Sequence, residues 1–136
     1  MRPQYSPWGE IQHCKELCPG VYEVSTPGHG GVMARLGRAS KLFSKAARAY
    51  SFVEGGYLCF EENCDSPVAI RELMDKGLYK APVNQYFGPG EYEAAIDSSI
   101  QQYQPEYWAY RNARLKKEPL EQLSLFSKKR ESGLER

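Results

Sequence analysis

The chain has 136 residues with 18 Lys and Arg against 17 Asp and Glu, and 41% of it is apolar, which suits one folded domain with a real core and a short appendage. A net charge of +1 supplies no global field toward nucleic acid or an anionic membrane, and no apolar run approaches the roughly 18 residues that span a bilayer. Met1-Arg2-Pro3-Gln4 lacks the apolar stretch of a signal peptide, so a cytoplasmic protein with no membrane partner is expected, its Cys14, Cys18, Cys59 and Cys64 present as reduced thiols.

Glycine and proline punctuate the first third, and short alternating runs lie between them. Gly9 to His13 and Val21 to Ser25 read as two paired strands, the second preceded by the turn residues Cys18-Pro19-Gly20. Gly31 to Leu36 reads as a third strand, and Tyr57 to Phe60, after the turn Gly55-Gly56, as a fourth. Ser40 is placed to cap a helix over Lys41 to Tyr50, whose Leu42, Phe43, Ala46, Ala47 and Tyr50 share one face. Asp65 is placed to cap a second helix, with Pro67 in its first turn and Gly77 at its end. Asn84 to Gly90 is expected as a loop with Tyr86 and Phe87 turned inward. A helix then runs from Glu91 with Tyr92, Ala95, Ile96, Ser99, Ile100 and Tyr103 as its stripe, Gln104-Pro105 breaks it, and Glu106 to Lys117 restarts it. The expected fold is α+β: a small antiparallel sheet in the N-terminal half packed with about four helices, making a globular domain over 1–117 and a flexible tail over 118–136.

Ser25-Thr26-Pro27-Gly28-His29-Gly30-Gly31 is the segment of the domain most suited to meeting a ligand. Its glycines let the backbone come close to another group, and Thr26, Gly28, His29, Gly30 and Gly31 can be read as an anion-binding nest. The same residues can equally make a tight turn braced by His29. Glu61, Glu62 and Asp65 stand at a strand end and helix start, where capping alone favours acids. No nucleophile with diagnostic spacing accompanies His29, so no catalytic residue is assigned. The pairs Cys14-x3-Cys18 and Cys59-x4-Cys64 lack the usual two-residue zinc spacing, and neither a metal nor another cofactor is expected. Arg35, Arg38, Lys41, Lys45 and Arg48 form a run without acids, read as a solvated helix face or a local basic surface. Tyr103, Tyr107, Trp108 and Tyr110, beside Arg111 and Arg114, either complete the core or present a contact surface, single-stranded nucleic acid included.

Two resemblances follow. Trp8-Gly9-x-x-Gln12, Gly20-Val21, Ser25-Thr26-x-x-His29-Gly30-Gly31, Tyr57 and Glu61-Glu62-Asn63-Cys64-Asp65 resemble an uncharacterised domain family of bacteriophages and other mobile elements, over roughly Tyr5 to Met74. Asn63 stands where that pattern has Asp, and Ser66 where it has an aromatic. The resemblance implies a genomic setting and no reaction.

In the tail, Gln122-Leu123-Ser124-Leu125-Phe126 resembles, letter for letter, the peptide by which many bacterial DNA-processing proteins dock on the replication sliding clamp, with the pattern Gln-Leu-Ser/Asp-Leu-Phe. A full match in so short a chain arises by chance in about one case in several thousand. Leu120, Leu123 and Phe126 also recur at a three-residue spacing, which a terminal amphipathic helix starting at Pro119 would share. Such a helix has no need of Gln122 or Leu125; the docking peptide needs both. The expected function is therefore a non-enzymatic accessory protein that docks on the bacterial sliding clamp. The alternatives are an inhibitor of a host antiviral defence protein and a small nucleotide- or phosphate-binding enzyme using the loop at His29.

Overall fold

The structure is a computed structural model, and it describes residues 2–116. The expected tail, with Gln122, Leu123, Ser124, Leu125 and Phe126, lies outside the described residues. The strands are β1 (His13–Cys18), β2 (Val21–Ser25), β3 (Gly30–Arg35), β4 (Phe52–Glu54) and β5 (Tyr57–Glu61). The helices are α1 (Leu36–Leu42), α2 (Lys45–Arg48), α3 (Ser66–Asp75), α4 (Glu91–Tyr103) and α5 (residues 105–116). The five strands form one antiparallel sheet in the order β1-β2-β3-β5-β4, so the fold is α+β as the sequence implies.

Alternation along the strands gives the sheet two apolar faces. Val21, Val32, Ala34, Leu58 and Phe60 join Val68, Leu73, Ile100 and Tyr107 in the main core. Tyr22, Val24, Met33 and Cys59 point the other way and are covered by Trp8 and Ile11. That second layer explains why the strand expected from Gly9 begins only at His13, with none over residues 9–12. Gly9 turns the chain at φ +128, Trp8 lies edge-on to Phe52 at 6.2 Å, and the segment packs across the sheet rather than beside it. The edge strand is instead His13–Cys18, whose Lys15 and Glu16 hide it from an apolar-alternation reading. A bulge between Glu16 and Cys18 interrupts its register with β2, and Leu17 and Cys18 are both buried.

The helix expected over residues 41–50 is divided. α1 starts earlier, at Leu36, Phe43 is extended, and Ser44 rather than Ser40 is the cap, its Oγ accepting the Ala47 N–H at 3.1 Å. The break is tied to Glu72 of α3, which is 1% exposed and takes both the Ser44 N–H at 2.7 Å and the Ser44 hydroxyl at 2.6 Å. A continuous helix would direct that N–H to its own backbone and leave a buried carboxylate short of donors.

β4 is the strand that the sequence pattern does not announce. Gly55 and Gly56 have φ of +60 and +85, the pair of left-handed residues that a tight two-residue hairpin needs, and they fold Phe52–Glu54 back on β5. α3 ends as expected: Gly77 at φ +72 donates to the Met74 carbonyl and Leu78 to the Leu73 carbonyl. Its start differs, because Asp65 makes no side-chain cap and accepts Gln104 Nε2 at 2.8 Å instead. Phe87 packs edge-on against Tyr92 at 5.2 Å, whereas Tyr86 is 76% exposed, contrary to the inward placement expected for it. Among the described residues no helix is long and apolar enough to cross a membrane.

Candidate functional site

The segment from Thr26 to Gly31 is the turn joining β2 to β3 and the first residues of β3. Thr26 closes it: its N–H donates to the His29 carbonyl at 2.9 Å, its hydroxyl donates to the same oxygen at 2.5 Å, and its Oγ1 accepts the His29 N–H at 3.1 Å. None of Gly28, Gly30 and Gly31 has a left-handed φ. Gly30 and Gly31 are small for another reason, close approach. A Cβ on Gly31 would stand 2.1 Å from the Phe60 carbonyl oxygen and 2.6 Å from the Trp8 ring, and one on Gly30 would stand 2.4 Å from the Val24 carbonyl oxygen.

That close packing brings the turn against the acids at the end of β5. Gly31 is in register with Glu61, and the Glu62 N–H donates to the Gly30 carbonyl at 2.9 Å. His29 Nδ1 lies 3.8 Å from Glu62 Oε1, with the two side chains 64% and 43% exposed. One ligand-capable atom from each of His29, Glu61 and Glu62 falls within 4.8 Å of the others. The third acid of the sequence cluster, Asp65, is turned away to Gln104; burial, then the negative Glu61, raise its carboxyl against the opposing Gln104 hydrogen bond. The sequence thus supplied all three members of this corner, but only the β3–β5 register shows which acids His29 meets.

The cysteines do not converge. Cys14 packs with the Trp8 layer and Cys18 lies in the main core, on the opposite face of the sheet. All four thiols are free, and burial pushes Cys59 up to about 11, which keeps it protonated. Of the basic run, Arg35, Arg38, Lys41 and Lys45 are exposed, and Arg35 and Arg38 border an open groove whose floor includes Gly20 and Tyr22. The aromatic cluster is divided between roles. Tyr107 is 1% exposed and belongs to the core, while Tyr103 is 51% exposed. Arg111 stacks on Trp108 and Arg114 on Tyr110, but both guanidinium groups also hold Asp75, at 2.7 and 3.4 Å. Those two arginines serve the fold first.

Around them lies a feature that sequence reading missed, a buried ionic network on the outer side of α3. Arg71, 4% exposed, binds Asp75, Glu93 and Asp97 at 3.2, 2.7 and 2.8 Å. Glu72 takes two donors from Ser44, the Tyr107 hydroxyl at 2.6 Å and a 3.6 Å approach from Arg114. Burial acts to raise the Asp75 carboxyl, but Arg111, Arg71 and Arg114 outweigh it and hold it below the usual carboxylate range. The available signal was Arg71-Glu72 inside an otherwise apolar helix, two charges with no solvent-facing stripe to occupy.

Comparison with curated proteins gives no match, and comparison with solved structures gives none either. Comparison with protein families does: a domain of unknown function, DUF7007, matches residues 1–131. The match spans the sheet, the His29 corner, the ionic network and the residues beyond α5, and the chain belongs to the DUF7007 family.

Proposed function

We propose that this chain is a non-enzymatic accessory protein of a bacteriophage or other mobile element, acting in the bacterial cytoplasm by docking on the host's DNA sliding clamp through Gln122-Leu123-Ser124-Leu125-Phe126. The single observation that carries the reading is that pentapeptide, a full match to the clamp-docking pattern in a segment whose other residues are nearly all charged or small. The chemistry of the peptide fits the role. Two leucines and a phenylalanine supply most of the burial, each worth about 1.5 to 3 kcal/mol, and the Gln122 amide can donate and accept at a pocket rim to set direction. Ordering the backbone costs about 1 to 2 kcal/mol per residue, so a lone copy binds at roughly micromolar strength, which suits a ring with several equivalent pockets.

The domain offers a firm base for such a tether. α5 is fastened to α3 by Tyr107 on Glu72 and Arg111 on Asp75, and Gln122 follows residue 116 by 122 − 116 = 6 positions. The family match also runs through the pentapeptide. A peptide in the clamp's client pocket excludes other clients while it is bound, so the expected consequence is competition with host replication and repair proteins.

The test is a capture experiment from bacterial lysate with the full chain and with a chain lacking residues 121–136. Clamp recovered by the first and lost from the second supports the proposal, and equal recovery by both, or by neither, refutes it.

A further inference from the structure

We infer that His29, Glu61 and Glu62 form a binding site for one divalent transition-metal ion, a role independent of the C-terminal peptide. The three side chains come from two places far apart in sequence, the β2–β3 turn and the end of β5, and the sheet fixes their meeting. The Gly31–Glu61 register and the Glu62 N–H on the Gly30 carbonyl hold the backbones side by side, while Thr26 locks the turn that carries His29. Gly30 contributes by having no Cβ. One there would sit 3.3 Å from Glu62 Oε2, so the carboxylate lies across the bare backbone.

The distances suit an ion. Ligands about 2.1 Å from a tetrahedral metal stand about 3.4 Å from one another. The His29 to Glu62 separation is 3.8 Å, and all three ligand atoms lie within 4.8 Å, so small rotations of solvent-accessible side chains complete the set. The donors select the class. One imidazole nitrogen with two carboxylates suits zinc, cobalt or manganese, whereas calcium and magnesium prefer oxygen alone. The charge selects the sign: an anion at this turn, the ligand its glycines suggest, would face two carboxylates. Three protein ligands leave a coordination position open, and Glu62 also lines a neighbouring cavity of about 210 Å³ with His13, Lys15 and Ser66.

The test is a cobalt(II) titration of the tag-free full chain, followed by absorption. Cobalt distinguishes this site from the free cysteines, because a thiolate ligand adds a charge-transfer band in the near ultraviolet. The expected result is one cobalt per chain without that band, displaced by zinc but not by magnesium or calcium. Both His29→Ala and Glu62→Gln should weaken binding by about tenfold or more, and His13→Ala should leave it intact. His29 and Glu62 are exposed, so both variants keep the wild-type melting temperature without metal. No saturable binding, a thiolate band, or wild-type affinity in the His29 and Glu62 variants would overturn the assignment.

Discussion

Tyr107 on α5 donates its hydroxyl to a carboxylate oxygen of Glu72 on α3 at 2.6 Å, and both residues are 1% exposed. Burial first, and then that hydrogen bond to a negative acceptor, push the phenol's titration upward. The same carboxylate holds Ser44 at the break between α1 and α2, so one buried acid joins three helical segments. Tyr107→Phe is expected to lower unfolding stability by about 1 to 3 kcal/mol, the cost of removing one donor from a buried charge. Glu72→Ala should cost more, about 3 to 5 kcal/mol, because Ser44 and Tyr107 lose their acceptor together. Urea unfolding of both variants checks the order; Glu72→Ala as stable as wild type would show that the network carries no weight.

Acid should unfold the domain partly through Asp75. Its folded carboxyl titrates below the ordinary value of about 3.9, so folding favours the ionised form. The stabilisation is fully present above about pH 4 and is lost as pH falls through the lower, folded value. Unfolding free energies at pH 5 and pH 3 should therefore fall less steeply in Asp75→Asn than in wild type, with the variant already less stable at pH 5. Parallel slopes would contradict this.

Two glycines of one segment should respond in opposite ways. Gly28 has open space where a Cβ would go and no left-handed φ, so Gly28→Ala should be nearly neutral. Gly31→Ala would press a methyl onto the Phe60 carbonyl and the Trp8 ring, and a loss of about 3 kcal/mol is expected from overpacking against backbone that cannot retreat. Thermal melts of the pair decide it, and equal melting temperatures would show that Trp8 is not seated on β3.

Much of this architecture was legible from residue patterns. Val21–Ser25 matches the expected strand, and α4 and its break at Gln104 follow from the Ile96 and Ile100 stripe and Pro105. What escaped was non-local. β1 is an edge strand whose Lys15 and Glu16 face away from any apolar alternation, and β4 is three residues long and exposed throughout. The split at Phe43 depends on Glu72, 29 positions further on (72 − 43), which no local propensity contains. The site shows the same division. His29, Glu61 and Glu62 stood out individually, but their meeting depends on strand order, since β5 pairs with β3 only after α1, α2 and β4 intervene.

Docking of Gln122 to Phe126 on the sliding clamp is the core of the proposed function. Its most direct measurement is a binding titration of purified bacterial sliding clamp with the full chain, beside the Leu125→Ala, Phe126→Ala double variant. Roughly micromolar, saturable binding that the double variant loses by a factor of about a hundred or more is the predicted result. No binding by the wild-type chain, or equal binding by the variant, would contradict it.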